Sequence, residues 1–269
     1  INMNINVGFI GAGNMGTAIM KGIKSSSLGG SINLFAADPD ASKLESLKEF
    51  GVEGCKDAAD VVTKCKYVFL AVKPQVIEGV LESIGNSIND ETVLVSIAAG
   101  INSAFLRKAT GTDVKSVIVM PNTPLLLNEG ASALAKGDFV SDEEFDFVCG
   151  IFKSCGKIAV ITEDKMKEII AINGSSPAFI YLYAKGFTDY AEKVGISAET
   201  ARELFAQSLI GSAKMITDSG YTIDELIKMV SSPGGTTLAG LDELYKGNLT
   251  DVVDKACEAC TKRAYELAK

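Results

Sequence analysis

Several stretches of this chain carry residue types at a spacing that can do chemistry. Gly11-Ala12-Gly13-Asn14-Met15-Gly16 follows the apolar run 5–10 directly and opens a helical pattern of Met15, Ile19 and Ile23. A G-x-G-x-x-G motif carries meaning when it sits between a strand and a helix at the start of a βαβ unit. The first glycine permits a tight turn, the second lets a pyrophosphate approach the backbone, and the third lets the helix pack on the strand. The helix start then offers free N–H groups to the anion. Asp38 stands 22 residues after Gly16, at the end of the next apolar run. A carboxylate there can accept hydrogen bonds from the adenosine ribose hydroxyls and would repel a 2′-phosphate, which favours NAD. Ser42 and Lys43 are the obvious partners for such a phosphate, so NADH and NADPH both remain open. Asp38 also reads as a simple turn residue before Pro39.

Three further loops follow apolar runs and would border the same ligand, because open α/β sheets bind at the carboxyl ends of their strands. They are Ala71-Val72-Lys73-Pro74, Ala98-Ala99-Gly100 and Met120-Pro121-Asn122-Thr123-Pro124. Ala98 and its small neighbours let a flat nicotinamide lie close to the backbone, and the Asn122 amide can fix its orientation. Lys73 reads either as a ligand contact or as a surface charge. Later, Ser231-Ser232-Pro233-Gly234-Gly235-Thr236-Thr237 precedes a helical stripe of Leu238, Leu241 and Leu244. Hydroxyls, glycines and the N–H groups of a helix start make a receptor for a small carboxylate, or equally a capped turn between helices. Asn173-Gly174-Ser175-Ser176-Pro177 is a similar polar break, either a kinked connection or part of a pocket.

Two kinds of architecture must hold these loops. Strands are expected at 5–10, 33–36, 67–72, 93–97, 116–120, 131–135 and 157–162, with helices such as 41–50 and 75–87 between the early ones. Tyr-Val-Phe-Leu-Ala-Val at 67–72 is a continuous apolar run, the mark of a strand buried on both faces. The alternation predicts a mostly parallel, doubly wound sheet of Rossmann type. The connection from Met120 to Ala131 is too short for a helical crossover, so the last strands should include an antiparallel pair. After about residue 163 the strand pattern stops. Ile180, Ala184, Phe187, Ala191 and Val194 form one helix face; Ser197 should cap the next helix and Thr250 the last. The chain therefore reads as α/β, with a dinucleotide-binding domain at 1–162 followed by an all-α domain at 163–269. A hundred helical residues with no sheet to cover them would bury their apolar faces against a second copy of the chain.

Composition narrows the class. The chain has 269 residues, 47% hydrophobic and 22% charged, which suits one large globular domain or two ordinary ones and excludes a disordered chain. A net charge of −8 argues against nucleic acid as partner. Histidine is absent, which removes Ser-His-Asp and Cys-His catalysis and any histidine-ligated zinc; no metal site is expected. Six cysteines are too sparse for a disulfide scaffold, and Cys257-x-x-Cys260 lies on an apolar helical stripe and reads as core. Neither a signal peptide nor a membrane span is expected, which points to the cytoplasm; Met3 reads as the natural start.

Taken together, IGAGNMG at 10–16, AVKP at 71–74, SIAAG at 96–100, MPNTP at 120–124, GSSPAF at 174–179 and SSPGGTT at 231–237 resemble pyrroline-5-carboxylate reductases in order and spacing. The departures are small: Tyr221-Thr222-Ile223 stands where the family commonly has a proline, and Tyr245 where it has a polar residue. The resemblance implies reduction of the C=N bond of 1-pyrroline-5-carboxylate to L-proline with NADH or NADPH. By position, it implies that Gly11, Gly13 and Gly16 hold the pyrophosphate while Ala71, Lys73, Ala98 and Asn122 border the cofactor. Ser232, Gly234, Gly235, Thr236 and Thr237 would receive the substrate, with Thr237 able to hydrogen-bond the ring nitrogen and relay a proton. The helical domains would pair into a homodimer, which can assemble further. The competing expectations are a related β-hydroxyacid or imine dehydrogenase, and a non-catalytic dinucleotide sensor.

Overall fold

The computed structural model describes residues 4–268; Met3 lies outside them. The chain divides into two compact units, one running to Ser175 and including the chain from Cys260 onward, the other Ser176–Ala259. Among the described residues, no helix is long and apolar enough to cross a membrane.

The first unit is built on eight strands: β1 (Ile5–Ile10), β2 (Ile32–Ala37), β3 (Val52–Gly54), β4 (Tyr67–Leu70), β5 (Val93–Ser96), β6 (Lys115–Met120), β7 (Gly130–Lys136) and β8 (Gly156–Val160). They form one sheet in the order β3-β2-β1-β4-β5-β6-β7-β8. Every neighbouring pair is parallel except β6 and β7, the expected antiparallel pair. The helices between strands are α1 (Asn14–Ser25), α2 (Ala41–Leu47), α3 (Ala58–Lys64), α4 (Ile77–Ile84), α5 (Ser103–Thr110) and α6 (Asp142–Lys153).

Strand period 2 divides the core cleanly. Val7, Phe9, Tyr67, Phe69, Val93 and Val95 point to one face, where α1 and α6 add Ile19, Ile23, Val148 and Phe152. Ile10, Val68, Leu70 and Leu94 point to the other, against Val61 of α3 and Leu81 of α4. Phe9 and Phe69 stack with centroids 4.5 Å apart, tying the two central strands together. Burial on both faces explains why these strands read as unbroken apolar runs. Chain order reverses between β1 and β4, so the crevice at their carboxyl ends is the natural ligand site.

The second unit is helical: α7 (Ser176–Lys193), α8 (Ala198–Asp218), α9 (Ile223–Met229), α10 (Thr236–Lys246) and the first part of α11 (Leu249–Leu267). Ser197 caps α8 as expected, accepting from the Thr200 N–H at 3.1 Å. Thr222 and Glu225 cap α9 reciprocally. The expectation for Thr250 does not hold, because α11 begins at Leu249 and takes Thr250 into its first turn. α7 and α8 pack through Phe187 and Phe205, stacked at 4.1 Å. Few apolar side chains here are covered by their own chain: Leu182 is 71% exposed, Leu204 66% and Val230 65%. A surface of this kind calls for a partner.

Candidate active site

The glycine loop leaves β1 and enters α1 with little room to spare. Gly11 has φ +102°, and a Cβ there would stand 2.4 Å from the Ala71 carbonyl oxygen. A Cβ at Gly16 would stand 2.9 Å from the Gly11 oxygen, which is the close packing of helix on loop that the third glycine permits. Gly13 is different: a Cβ there would meet nothing within 4 Å. Gly13 is the N-cap of α1, with no side-chain cap and no acidic residue in the first helical turn. An uncapped helix start beside open space suits a pyrophosphate.

Asp38 does more than stand at the end of β2. Its Oδ2 accepts the Ala12 N–H at 2.8 Å and its Oδ1 accepts the Asp40 N–H at 2.9 Å. The carboxylate, only 7% exposed, thus ties the glycine loop to the turn after β2, with Lys43 Nζ 3.5 Å away. A cleft of about 670 Å³ opens along this edge, lined by Gly11, Gly13, Asp38, Lys43, Lys56 and Lys73 among others. Ala71 and Val72 line it too. Its other carboxylates are committed to helix caps: Asp40 accepts from Ser42, whose hydroxyl and N–H hold its carboxyl below the usual range, and Asp57 accepts from the Asp60 N–H. Lys56 and Lys73 are therefore the charges left to meet a phosphate, with Lys43 shared with Asp38.

The remaining candidates are more dispersed. Ala12 contributes its N–H to Asp38, and the Met15 side chain packs against the core. Asn14 lines a separate groove beside α1, with Lys21 and Phe50. Pro74 follows Lys73 but is not among the residues that line the cleft. Ala98 shares a pocket of about 30 Å³ with Gly100, Met120 and Glu163. Asn122 takes a role its position does not announce. Its Oδ1 accepts the Ala131 N–H at 2.9 Å and its Nδ2 donates to the Asn173 carbonyl at 3.1 Å. Pairing of β6 with β7 ends at Met120 and Ala133, and Pro121 has no N–H, so side chains finish what the ladder cannot. One N–H and the oxygen of its carboxamide are thus engaged within the rim, which fixes where the Asn122 side chain sits at the carboxyl end of β6.

Lys56 is the cleft residue the sequence reading passed over. It precedes the Asp57 cap of α3, and only the short β3 brings it to the crevice. Burial pushes the nearby Cys55 thiol up to about 11 and that of Cys65 up to about 12, which keeps both protonated at neutral pH.

In the second unit, Gly234 (φ +70°) turns the chain so that the Gly235 N–H donates to the Ser232 carbonyl at 3.0 Å. Gly235 is the N-cap of α10, again without a side-chain cap or an acidic residue in the first turn. Ser232, Thr236 and Thr237 are exposed, and their hydroxyls have no hydrogen-bond partner among the described residues. Uncapped N–H groups beside free hydroxyls can receive a carboxylate.

Comparison with known proteins agrees with both halves. Residues 6–100 match the model of the coenzyme F420-dependent NADP oxidoreductases, and residues 163–267 match that of pyrroline-5-carboxylate reductase dimerisation. The pyrroline-5-carboxylate reductase of Escherichia coli is 35% identical over 270 residues, covering 99% of this chain and all of the relative. The chain belongs to the pyrroline-5-carboxylate reductase family. The pea (Pisum sativum) member is 33% identical over 97% of this chain and 96% of its own. The Coxiella burnetii structure superposes with a TM-score of 0.92 at 31% identity, covering 99% of each chain. A Plasmodium falciparum structure with NADP bound gives 0.88 at 32%, again over 99% of each. A Streptomyces aurantiacus imine reductase, 16% identical with a TM-score of 0.55, shares the fold alone.

Proposed function

We propose that this chain reduces the imine of 1-pyrroline-5-carboxylate to L-proline with NADH or NADPH, the last step of proline biosynthesis. The observation that carries the reading is the presence, in one chain of this family, of two uncapped helix starts. Gly13 fronts open space at one, and Ser232, Thr236 and Thr237 hold free hydroxyls at the other.

Gly11, Gly13 and Gly16 hold the pyrophosphate, while Asp38, Ala71, Val72 and Lys73 line the adenosine side. Bound there, a reduced nicotinamide dinucleotide would supply the hydride that reduces the imine carbon. The loop 231–237 binds the substrate carboxylate through Ser232, Gly234, Gly235 and Thr236. Thr237 places a hydroxyl on the ring nitrogen and relays a proton to it from solvent water, so that no alkoxide is left on the threonine. A protonated imine is already electrophilic, and its reduction leaves an amine instead of an alkoxide. Positioning therefore supplies most of the catalysis, and a chain without histidine suffices.

Residues 1–162 serve as the dinucleotide domain, and 163–269 bind substrate and pair the chains. The exposed Leu182, Leu204 and Val230 favour burial in a homodimer, which can assemble into larger oligomers. The acidic surface fits a cytoplasmic enzyme with small-molecule partners and neither nucleic acid nor membrane. The test is incubation with pyrroline-5-carboxylate and a dinucleotide carrying deuterium at nicotinamide C4, followed by mass spectrometry. Proline with deuterium at the former imine carbon is expected. Unlabelled or absent proline would overturn the reading.

A further inference from the structure

Asn173 does work that its setting in a polar break does not announce. Its Nδ2 donates to two carbonyl oxygens, those of Met120 and Ala131, each at 2.8 Å. Only a nitrogen can sit between two carbonyls, so the orientation of the carboxamide is settled by its partners. Its own backbone carbonyl accepts from Asn122. Asn122 and Asn173 thus form a reciprocal clasp where the β6–β7 ladder runs out, pinning the chain at 120–122 to the segment Ile170–Gly174. That segment is a single π-helical turn, a form frequent at functional sites. Asn173 is 9% exposed, and its buried Oδ1 has no hydrogen-bond partner among the described residues. A buried acceptor without a partner in a native protein calls for an explanation.

We propose that Asn173 is a positioning residue for hydride transfer: its carboxamide fixes the Met120 and Ala131 carbonyls, and with them the rim on which the nicotinamide ring rests. The proposal rests on the reductase reading above, with the nicotinamide at the loops carrying Ala98 and Asn122, where the sequence places it. The adenosine and pyrophosphate contacts lie elsewhere, on β1, β2 and the loop after β4. Loss of the clasp therefore leaves dinucleotide binding largely intact and relaxes the approach of donor to acceptor. Misplacing reacting groups by an ångström can cost about 10²-fold in rate.

The test compares the full-length protein with Asn173→Ala and Asn173→Ser, since serine restores one donor of two. Asn173→Ala should lower kcat with pyrroline-5-carboxylate by at least about tenfold, with the NADPH Kd from fluorescence titration changed by less than about twofold. The isotope effect from deuterium at nicotinamide C4 should rise, and the Ala131 amide should exchange faster with solvent. Asn173→Ser should recover part of kcat. A wild-type kcat in Asn173→Ala overturns the proposal. So does a lowered kcat whose loss is matched by weaker NADPH binding at an unchanged isotope effect, because the residue would then be only structural. Absence of turnover in the wild-type protein overturns the reductase reading and this proposal together; turnover in the wild type with an unaffected variant overturns this proposal alone.

Discussion

Glu144→Gln removes one negative charge from the amino edge of the sheet, the edge opposite the cleft. Glu144 stands in the first turn of α6 with its side chain 7% exposed. Its Oε1 lies 2.9 Å from Lys115 Nζ and 3.1 Å from Lys66 Nζ, and its Oε2 accepts the Ser141 N–H at 3.0 Å. Burial opposes the charge, but the Ser141 N–H and the two ammonium groups outweigh it and bring the carboxyl from 4.5 down to about 2. A difference of that size corresponds to about 3 kcal/mol of stability at neutral pH. Because the folded value is the lower one, this contribution is complete above pH 4.5 and is lost as pH falls from there toward 2. Glutamine mimics the protonated acid. It should therefore cost about 3 kcal/mol at pH 7, or about 6–12 °C in Tm, and almost nothing near pH 2. The assay is urea and thermal unfolding of both proteins at matched concentration between pH 2.5 and 7. At 25 °C the kcat of the folded variant should equal the wild-type value. A stability difference that is independent of pH, or below about 0.5 kcal/mol at pH 7, would refute the electrostatic argument.

Thr237→Ala should lower kcat/KM by about tenfold or more, the loss expected from one or two kcal/mol at the transition state; an unchanged kcat/KM in steady-state assays removes Thr237 from the mechanism. Gly13→Val meets no protein atom near its Cβ, so Tm should hold while the Kd for NADPH rises by at least about tenfold; unaltered binding would show that the pyrophosphate lies elsewhere. Asp38→Ala leaves the Ala12 and Asp40 N–H groups without their acceptor, so KM should rise for NADH and NADPH alike. A rise confined to NADH would mean that the ribose contact dominates. Leu182→Asp should shift the sedimentation of the protein from dimer toward monomer, and an undisturbed dimer would place the interface away from Leu182.

Much of the α/β unit was legible in the sequence because burial on both faces leaves unbroken apolar runs with sharp ends. Ile5–Ile10 matches its expected range, and the 120–131 connection is short enough to demand an antiparallel return. Val52–Gly54 was not legible: it has three residues, only Val52 is buried, and an edge strand needs little apolar signal. The glycine loop was readable because each glycine answers a local constraint. The Asn122–Asn173 clasp was not, since its partners lie 42 to 53 residues apart and polar residues in a loop carry no period. Lys56 escaped for a similar reason. Thr250 misled because a threonine just inside a helix looks, in sequence, like one just before it.

The most direct test of the central claim is the steady-state rate with pyrroline-5-carboxylate, following NADH and NADPH oxidation in parallel and proline formation by amino-acid analysis. The account predicts saturable oxidation with one proline formed per dinucleotide consumed, and the ratio of the two kcat/KM values then states the cofactor preference. Dinucleotide binding without turnover, or turnover of hydroxy acids in place of the imine, would contradict it.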